Sequence, residues 1–167
     1  MPLALRLATE SDLSAIFDIY DDEILHGTAT FDTEPYSEAR RHAWLEHHSP
    51  DRHPVVVAED GGLVVGWASL SEWSDRCAYA RSAEVSTYVH ANHRGRGVGR
   101  VLLADLVARS RAAGLGVLLA RITSESAVSR RLHERFGFER VGTLRRVGEK
   151  FGRILDVDIL ELELDAH

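Results

Sequence analysis

The chain predicts a mixed α/β domain, a central sheet flanked by helices, and three observations predict it. Runs with strand character (54–58, 63–68 and 117–122) are interleaved with runs whose apolar residues recur at helical spacing (13–20 and 98–107). The candidate elements follow in the order β-α-α-β-β-β-α-β-α-β-β, a succession expected of α/β architecture rather than of bundles or sandwiches. The 167 residues are 44% hydrophobic, enough for one buried core. No repeat, low-complexity tract or linker divides them, so 1–167 is expected to be a single domain.

Leu3 to Ala8 forms a short first strand. Thr9-Glu10-Ser11-Asp12 is a capping box, and Leu13, Ile16, Phe17 and Tyr20 then recur at helical spacing, so a helix runs to about Leu25. Ser37 caps a second helix through His48, with Ala39, Ala43 and Trp44 on one side. Between them, residues 26–35 make a loop long enough to be functional. Pro54 to Ala58 and Leu63 to Ala68 flank Glu59-Asp60-Gly61-Gly62, a hairpin signal, and Tyr79 to Val89 gives a fourth strand. The helix after Arg94 places Val98, Leu102, Leu103, Leu106 and Val107 on one broad face and stops at Gly114 and Gly116. Val117 to Ile122 is apolar enough for a strand buried on both faces. Ser126 to Phe136 is a short helix ended by Gly137. Phe138 to Val147 and Ile154 to Leu164 close the chain as two strands around a loop from Gly148 to Arg153.

The net charge of −6 argues against general nucleic-acid binding, which rests on a basic surface. Cys77 is the single cysteine, so no intrachain disulfide forms and a reducing, cytoplasmic setting is expected. No run approaches the ~20 apolar residues that span a bilayer, so no membrane association is expected. Nine histidines raise a metal question. His42, His47, His48, His53, His90 and His93 lack the H-E-x-x-H spacing and a cysteine partner, and no metal is expected.

Against that acidic background, Arg94-Gly95-Arg96-Gly97-Val98-Gly99-Arg100 stands out between the fourth strand and the central helix. Amides left free at a helix N-terminus, on a loop without bulky side chains, make an anion site. Arg94, Arg96 and Arg100 add positive charge, so the expected ligand is a phosphorylated cofactor. A dinucleotide fingerprint fails because Arg100 stands at its third glycine, and a P-loop fails because no Lys-Ser/Thr follows.

The loop does meet [Q/R]-x-x-G-x-[G/A], through Arg94, Gly97 and Gly99, and so resembles the pyrophosphate loop of the GCN5-related N-acetyltransferases (GNAT). Arg130 to Phe138 resembles that family's last motif, a helix running into Gly-Phe. Three further blocks resemble the phosphinothricin and methionine sulfoximine (or sulfone) acetyltransferase branch. They are Thr30-Phe31-Asp32-Thr33-Glu34-Pro35; Trp73, Arg76-Cys77-Ala78-Tyr79, Glu84 and Tyr88-Val89; and Gly148 to Arg153 with Asp156. The resemblance covers nearly the whole chain. It implies the GNAT (acyl-CoA N-acyltransferase) fold, acetyl-CoA as acetyl donor, a small-molecule amine acceptor of amino-acid type, and a homodimer.

It also implies roles. Transfer from a thioester to an amine needs a base to take a proton from the ammonium, and Glu84, on the strand leading to the cofactor loop, is the candidate; a structural pair with Arg81 is the alternative. Amides near Thr87, Tyr88 and Val89 are expected to hold the carbonyl oxygen if the strand splays from its neighbour, and the gap would admit the pantetheine arm. Gly95, Gly97, Val98 and Gly99 with the three arginines would hold the pyrophosphate. Ser126, where many relatives have Asn, would bond the pantetheine. His133 is either the acid that protonates the leaving sulfur or an ordinary helix residue near the cofactor. Arg76 and Tyr79 would recognise an acidic group, and Phe31, Trp73 and Lys150 complete the expected acceptor pocket. Ser74 often aligns with Lys or Arg in relatives. A polyamine, aminoglycoside or protein N-terminus as acceptor, and a CoA-binding module without catalysis, are the alternative functions.

Overall fold

Seven strands form one sheet in the computed structural model, which describes residues 2–165: β1 (Ala4–Leu7), β2 (Val55–Asp60), β3 (Leu63–Glu72), β4 (Ser82–Val89), β5 (Val117–Thr123), β6 (Glu139–Lys150) and β7 (Arg153–Glu163). Their spatial order is β1-β2-β3-β4-β5-β7-β6, antiparallel throughout except for β4 beside β5. Four helices cover it: α1 (Leu13–His26), α2 (Glu38–Glu46), α3 (Val98–Ala112) and α4 (Ala127–Glu134).

Strand alternation divides the core. Val56 and Ala58 turn to one face and pack with Leu102, Leu103 and Leu106 of α3, while Val55 and Val57 turn to the other and meet Ile16 and Phe17 of α1. Each of these valine, leucine, isoleucine and phenylalanine side chains, fully buried, contributes roughly 1.5–3 kcal/mol by removal from water. Helix α3 approaches the sheet where β3 lacks a side chain: a Cβ at Gly66 would stand 2.8 Å from Val98 Cγ1. The helix therefore begins directly beside the end of β4.

Three expectations from the sequence are corrected. Cys77–Tyr79 forms a 3₁₀ turn, closed by the Tyr79 N–H on the Arg76 oxygen (2.9 Å), so β4 starts at Ser82 rather than at Tyr79. Strand β5 is not buried on both faces, because Arg121 is exposed between buried Ala120 and Ile122. The loop expected from Gly148 to Arg153 is mostly strand. Lys150 pairs with Arg153, leaving Phe151-Gly152 as a two-residue hairpin turn with φ of 53° and 69°.

Candidate active site

The sheet opens where β4 and β5 meet. Their parallel pairing covers only Ser82, Ala83 and Glu84, whereas β4 stays paired with β3 up to Val89 and β5 stays paired with β7 up to Thr123. Beyond Glu84 the two strands diverge. The fork becomes a cleft of about 460 Å³ lined by Val85 to Tyr88 on one side and Ala120 to Thr123 on the other.

The phase of β4 decides which main-chain groups face this cleft. The His90 N–H reaches the Val65 oxygen (2.9 Å), and the Arg81 oxygen accepts from Gly116 N–H (2.8 Å) on the opposite edge. Successive residues of a strand direct their groups to alternate edges, so Glu84, Ser86 and Tyr88 face β3 while Val85, Thr87 and Val89 face the opening. The expected splay is present. Of the three amides expected to use it, those of Thr87 and Val89 are turned to it and that of Tyr88 is turned to β3. The buried hydroxyls of Thr87 and Thr123, both on residues lining the cleft, have no hydrogen-bond partner among the described residues.

Above the fork, Gly95 and Gly97 adopt φ of +74° and +85°, a region that costs other residues roughly 1–2 kcal/mol. Gly97 caps α3 without a side chain, and a Cβ placed there would meet nothing within 4 Å. The first helical bond runs from the Val101 N–H to the Gly97 oxygen (3.2 Å), leaving the amides of Val98, Gly99 and Arg100 without helical partners. Arg96 and Arg100 are exposed beside them. Arg94 is not aimed at the loop: its Nε donates to the Val89 oxygen (3.2 Å) and its Nη2 to Glu23 Oε2 (3.2 Å). An open strand edge with unpaired polar groups, ending at free helix amides, fits a long amide-bearing ligand that terminates in phosphate.

Glu84 sits at the apex of the fork, its side chain 16% exposed. It does not pair with Arg81, whose guanidinium goes to Asp165. Arg121 from β5 holds it instead, with Nε on Oε1 at 2.7 Å and Nη2 on Oε2 at 2.5 Å. That bond raises the Arg121 pKa above its ordinary value. The Arg121 guanidinium also lies 5.5 Å from the Trp73 ring, so Trp73 reaches the site through Arg121 rather than by lining the cleft.

His133 lines the cleft from α4 and is buried. Its Nδ1 lies 2.8 Å from the Ser129 oxygen, which can only accept, so Nδ1 carries the proton and Nε2 is an acceptor. Burial lowers its pKa, keeping the ring neutral near pH 7. A ring in this state has no proton on Nε2 to give a leaving sulfur. Ser126, at the start of α4, lines the cleft and makes no capping bond.

Residues 26–35 form the outer wall, pinned at several points. Thr28 Oγ1 donates to Glu125 (2.8 Å), the Ala29 N–H to Glu23 (3.0 Å), and Lys150 Nζ to the Thr30 oxygen (2.8 Å). Asp32 Oδ2 accepts from the Tyr20 hydroxyl (2.6 Å) and the Tyr36 hydroxyl (2.9 Å). Phe31 stands in the wall as expected.

Besides Trp73, three residues expected in the acceptor pocket do not line the cleft. Lys150 is buried with its ammonium spent on the Glu23 and Thr30 carbonyls, and burial lowers its pKa. Arg76 is exposed at the start of the 3₁₀ turn, and Tyr79, at its end, is 47% exposed. In their place the cleft holds Arg121, Asp32 and Tyr20. In the sequence Asp32 is only part of the 30–35 block and Tyr20 only a helix-face residue, and none of the three carries an expected site role. An arginine inside the apolar run 117–122 was the one available signal for the first.

A model of the acetyltransferase (GNAT) family matches residues 13–138. The chain belongs to this family. It is 38% identical over 165 residues to an L-methionine sulfoximine/L-methionine sulfone acetyltransferase of Salmonella typhimurium, covering 99% of this chain and 96% of that protein. It is likewise 38% identical over 156 residues to a phosphinothricin N-acetyltransferase of Streptomyces coelicolor, covering 92% and 91%. The crystal structure of a GNAT superfamily phosphinothricin acetyltransferase from Sinorhizobium meliloti in complex with acetyl-CoA superposes with a TM-score of 0.94 at 36% identity, over 98% of this chain and 89% of that one. The GNAT fold expected from the sequence is therefore the fold of this chain. Among the described residues no helix is long and apolar enough to cross a membrane, and no group of three or more His, Cys, Asp or Glu is placed to hold a metal ion.

Proposed function

We propose that this GNAT protein transfers the acetyl group of acetyl-CoA directly to the α-amino group of a small amino acid of the phosphinothricin, methionine sulfoximine or methionine sulfone type, with Glu84 as the base. The observation that carries the proposal is the fork itself: a carboxylate at its apex, an unpaired strand edge along one side, and free helix amides at its top. The named activities of the relatives supply the acceptor class.

The amides of Val98, Gly99 and Arg100, with Arg96 and Arg100 beside them, would hold the pyrophosphate, and the open edge of β4 with Ser126 the pantetheine arm. Bound there, acetyl-CoA would supply an acetyl group activated as a thioester. As the C–N bond forms the C–S bond breaks, and CoA leaves as a thiolate that takes the second proton from the acylated nitrogen. The acceptor arrives as an ammonium ion and must lose a proton before its nitrogen carries a lone pair. Glu84 takes that proton, directly or through one water, within the cleft that also holds the acceptor. The outward-facing amides of Thr87 and Val89 are fixed donors for a carbonyl oxygen that gains negative charge, and fixed donors need no reorganisation. His133, neutral with Nε2 as an acceptor, orients polar groups by receiving a hydrogen bond.

One observation favours a second acceptor class. The cleft is lined by two carboxylates, Asp32 and Glu84, against one arginine, a balance that also suits a polyamine. Assay of thiol release across methionine sulfone, methionine sulfoximine, phosphinothricin, spermidine and an aminoglycoside decides between them. Turnover confined to the amino acids is the expected result. Turnover confined to polycations contradicts the proposal, and thiol release with none of these amines favours the non-catalytic module.

The protein is proposed to act as a homodimer through β6. Among the described residues this strand has no sheet neighbour beyond β7, and it exposes Val141, Leu144 and Val147. Apolar side chains on an open strand edge invite pairing with a second copy.

A further inference from the structure

Arg121 is the only cationic side chain that lines the cleft among the described residues. Its planar guanidinium offers two edges on which a carboxylate can bind through paired hydrogen bonds. Glu84 fills the Nε–Nη2 edge. The second edge, Nη1 with the remaining Nη2 proton, has no hydrogen-bond partner among the described residues, and the side chain is 55% exposed. The Trp73 ring at 5.5 Å flanks the group and limits its swing. A pre-positioned guanidinium with one edge bound to the base and the other open is a receptor for a second anion.

We infer that Arg121 binds the α-carboxylate of the acceptor on its free edge and thereby sets the α-ammonium beside Glu84; the inference rests on the amino-acid acceptor proposed above. Two carboxylates on adjacent edges of one guanidinium lie side by side. In an α-amino acid the ammonium is carried on the carbon next to the carboxylate, so anchoring the latter brings the former within reach of Glu84. An amine several methylenes away from its carboxylate is not aligned in this way. Arg121 also offsets repulsion, because Asp32 and Glu84 alone would oppose entry of an anionic group. The acidic-group recognition expected of Arg76 and Tyr79 is thus assigned to one residue on β5. Lys150 is spent on main-chain carbonyls and Arg76 lies outside the cleft.

The test compares methionine sulfone with its decarboxylated counterpart, 3-(methylsulfonyl)propylamine, in wild type, Arg121→Gln and Arg121→Lys. The readout is the acid-to-amine ratio of kcat/KM, together with calorimetric binding of methionine sulfone to the CoA-loaded protein. Arg121→Gln should lower the ratio by about 10- to 100-fold and weaken methionine sulfone binding to the same degree, the range for losing charge-assisted hydrogen bonds. Arg121→Lys, which keeps charge but loses the paired edge, should fall between. An unchanged ratio overturns the inference: if both substrates fall together, Arg121 only positions Glu84, and if neither falls it is a surface residue. A wild-type ratio near one is a different failure, visible before any substitution, and it removes the amino-acid acceptor itself.

Discussion

Phe31 lies directly over the Cα of Gly148: a Cβ built on that glycine would stand 2.1 Å from Phe31 Cε2. The outer wall of the cleft is thus seated on β6, a strand more than a hundred residues further along the chain, because β6 has no side chain at that point. Gly148→Ala should displace the ring. Phe31 is 38% exposed and can swing outward, so the fold should survive while the wall moves. The KM for the acceptor should rise about 3- to 30-fold with acetyl-CoA affinity unchanged, as the loss of about 0.7–2 kcal/mol of contact would give. Steady-state kinetics with each substrate varied in turn check this, and an unchanged acceptor KM contradicts the seating.

Gly97→Asp should abolish acetyl-CoA binding and leave the fold intact. The residue has φ of +85° with open space where its Cβ would point, so a side chain meets no protein atom there. It would instead occupy the approach to the free α3 amides, and its carboxylate would repel phosphate. Calorimetry gives the affinity and circular dichroism the fold. Unchanged affinity in a folded variant would remove the anion site from the loop.

Much of this arrangement was legible in the chain. Strand, glycine-arginine loop and helix follow one another within residues 82–112, and local chemistry alone marks that junction as an anion site. Glu84 is placed by the same logic, three residues before Thr87 on the strand that enters the loop. The parting of β4 from β5 could be anticipated only conditionally, because pairing between residues 35 apart, such as Ser82 with Val117, is not written in either strand. The same limit hid Arg121. A charged residue in an apolar strand reads as an anomaly until its neighbour across the sheet is known to be Glu84. Lys150 was misplaced for a related reason. The hairpin is tighter than its glycines suggested, and the turn at Phe151-Gly152 carries the lysine inward to carbonyls more than a hundred residues away.

Assembly through β6 should appear as a dimer in light scattering at micromolar concentration. Val141 and Val147 are 52% and 53% exposed on that strand, so the double substitution Val141→Glu with Val147→Glu should shift the protein to monomer without unfolding it. A wild-type monomer, or a double variant that stays dimeric, contradicts the edge as the interface.

Acid should destabilise the fold partly through His133. Burial lowers its pKa in the folded state, outweighing the bond to the Ser129 carbonyl. The unfolded chain therefore binds a proton near pH 6.5 that the folded one refuses, and stability falls as pH drops below about 6.5 while staying flat above it. His133→Gln should lose less stability than wild type between pH 7.5 and 5.5 in urea titrations. Some acid sensitivity should remain, because burial lowers the pKa of His48 and His53 as well. An equal loss in both proteins would show that His133 takes up its proton without cost.

The assignment of Glu84 as base is tested most directly by Glu84→Gln turnover as a function of pH. The amide keeps the size of the side chain and can still bond Arg121 through its oxygen, but it cannot take the ammonium proton. General base catalysis contributes ~10²–10⁴-fold, so turnover at pH 7 should drop by that order while acetyl-CoA affinity is kept. The deficit should shrink as pH rises, because the acceptor then arrives with its nitrogen already neutral, whereas a distorted cleft would not recover in alkali. Near-wild-type turnover at pH 7, with chemistry limiting the rate, would contradict the account and leave another group or water alone to take the proton.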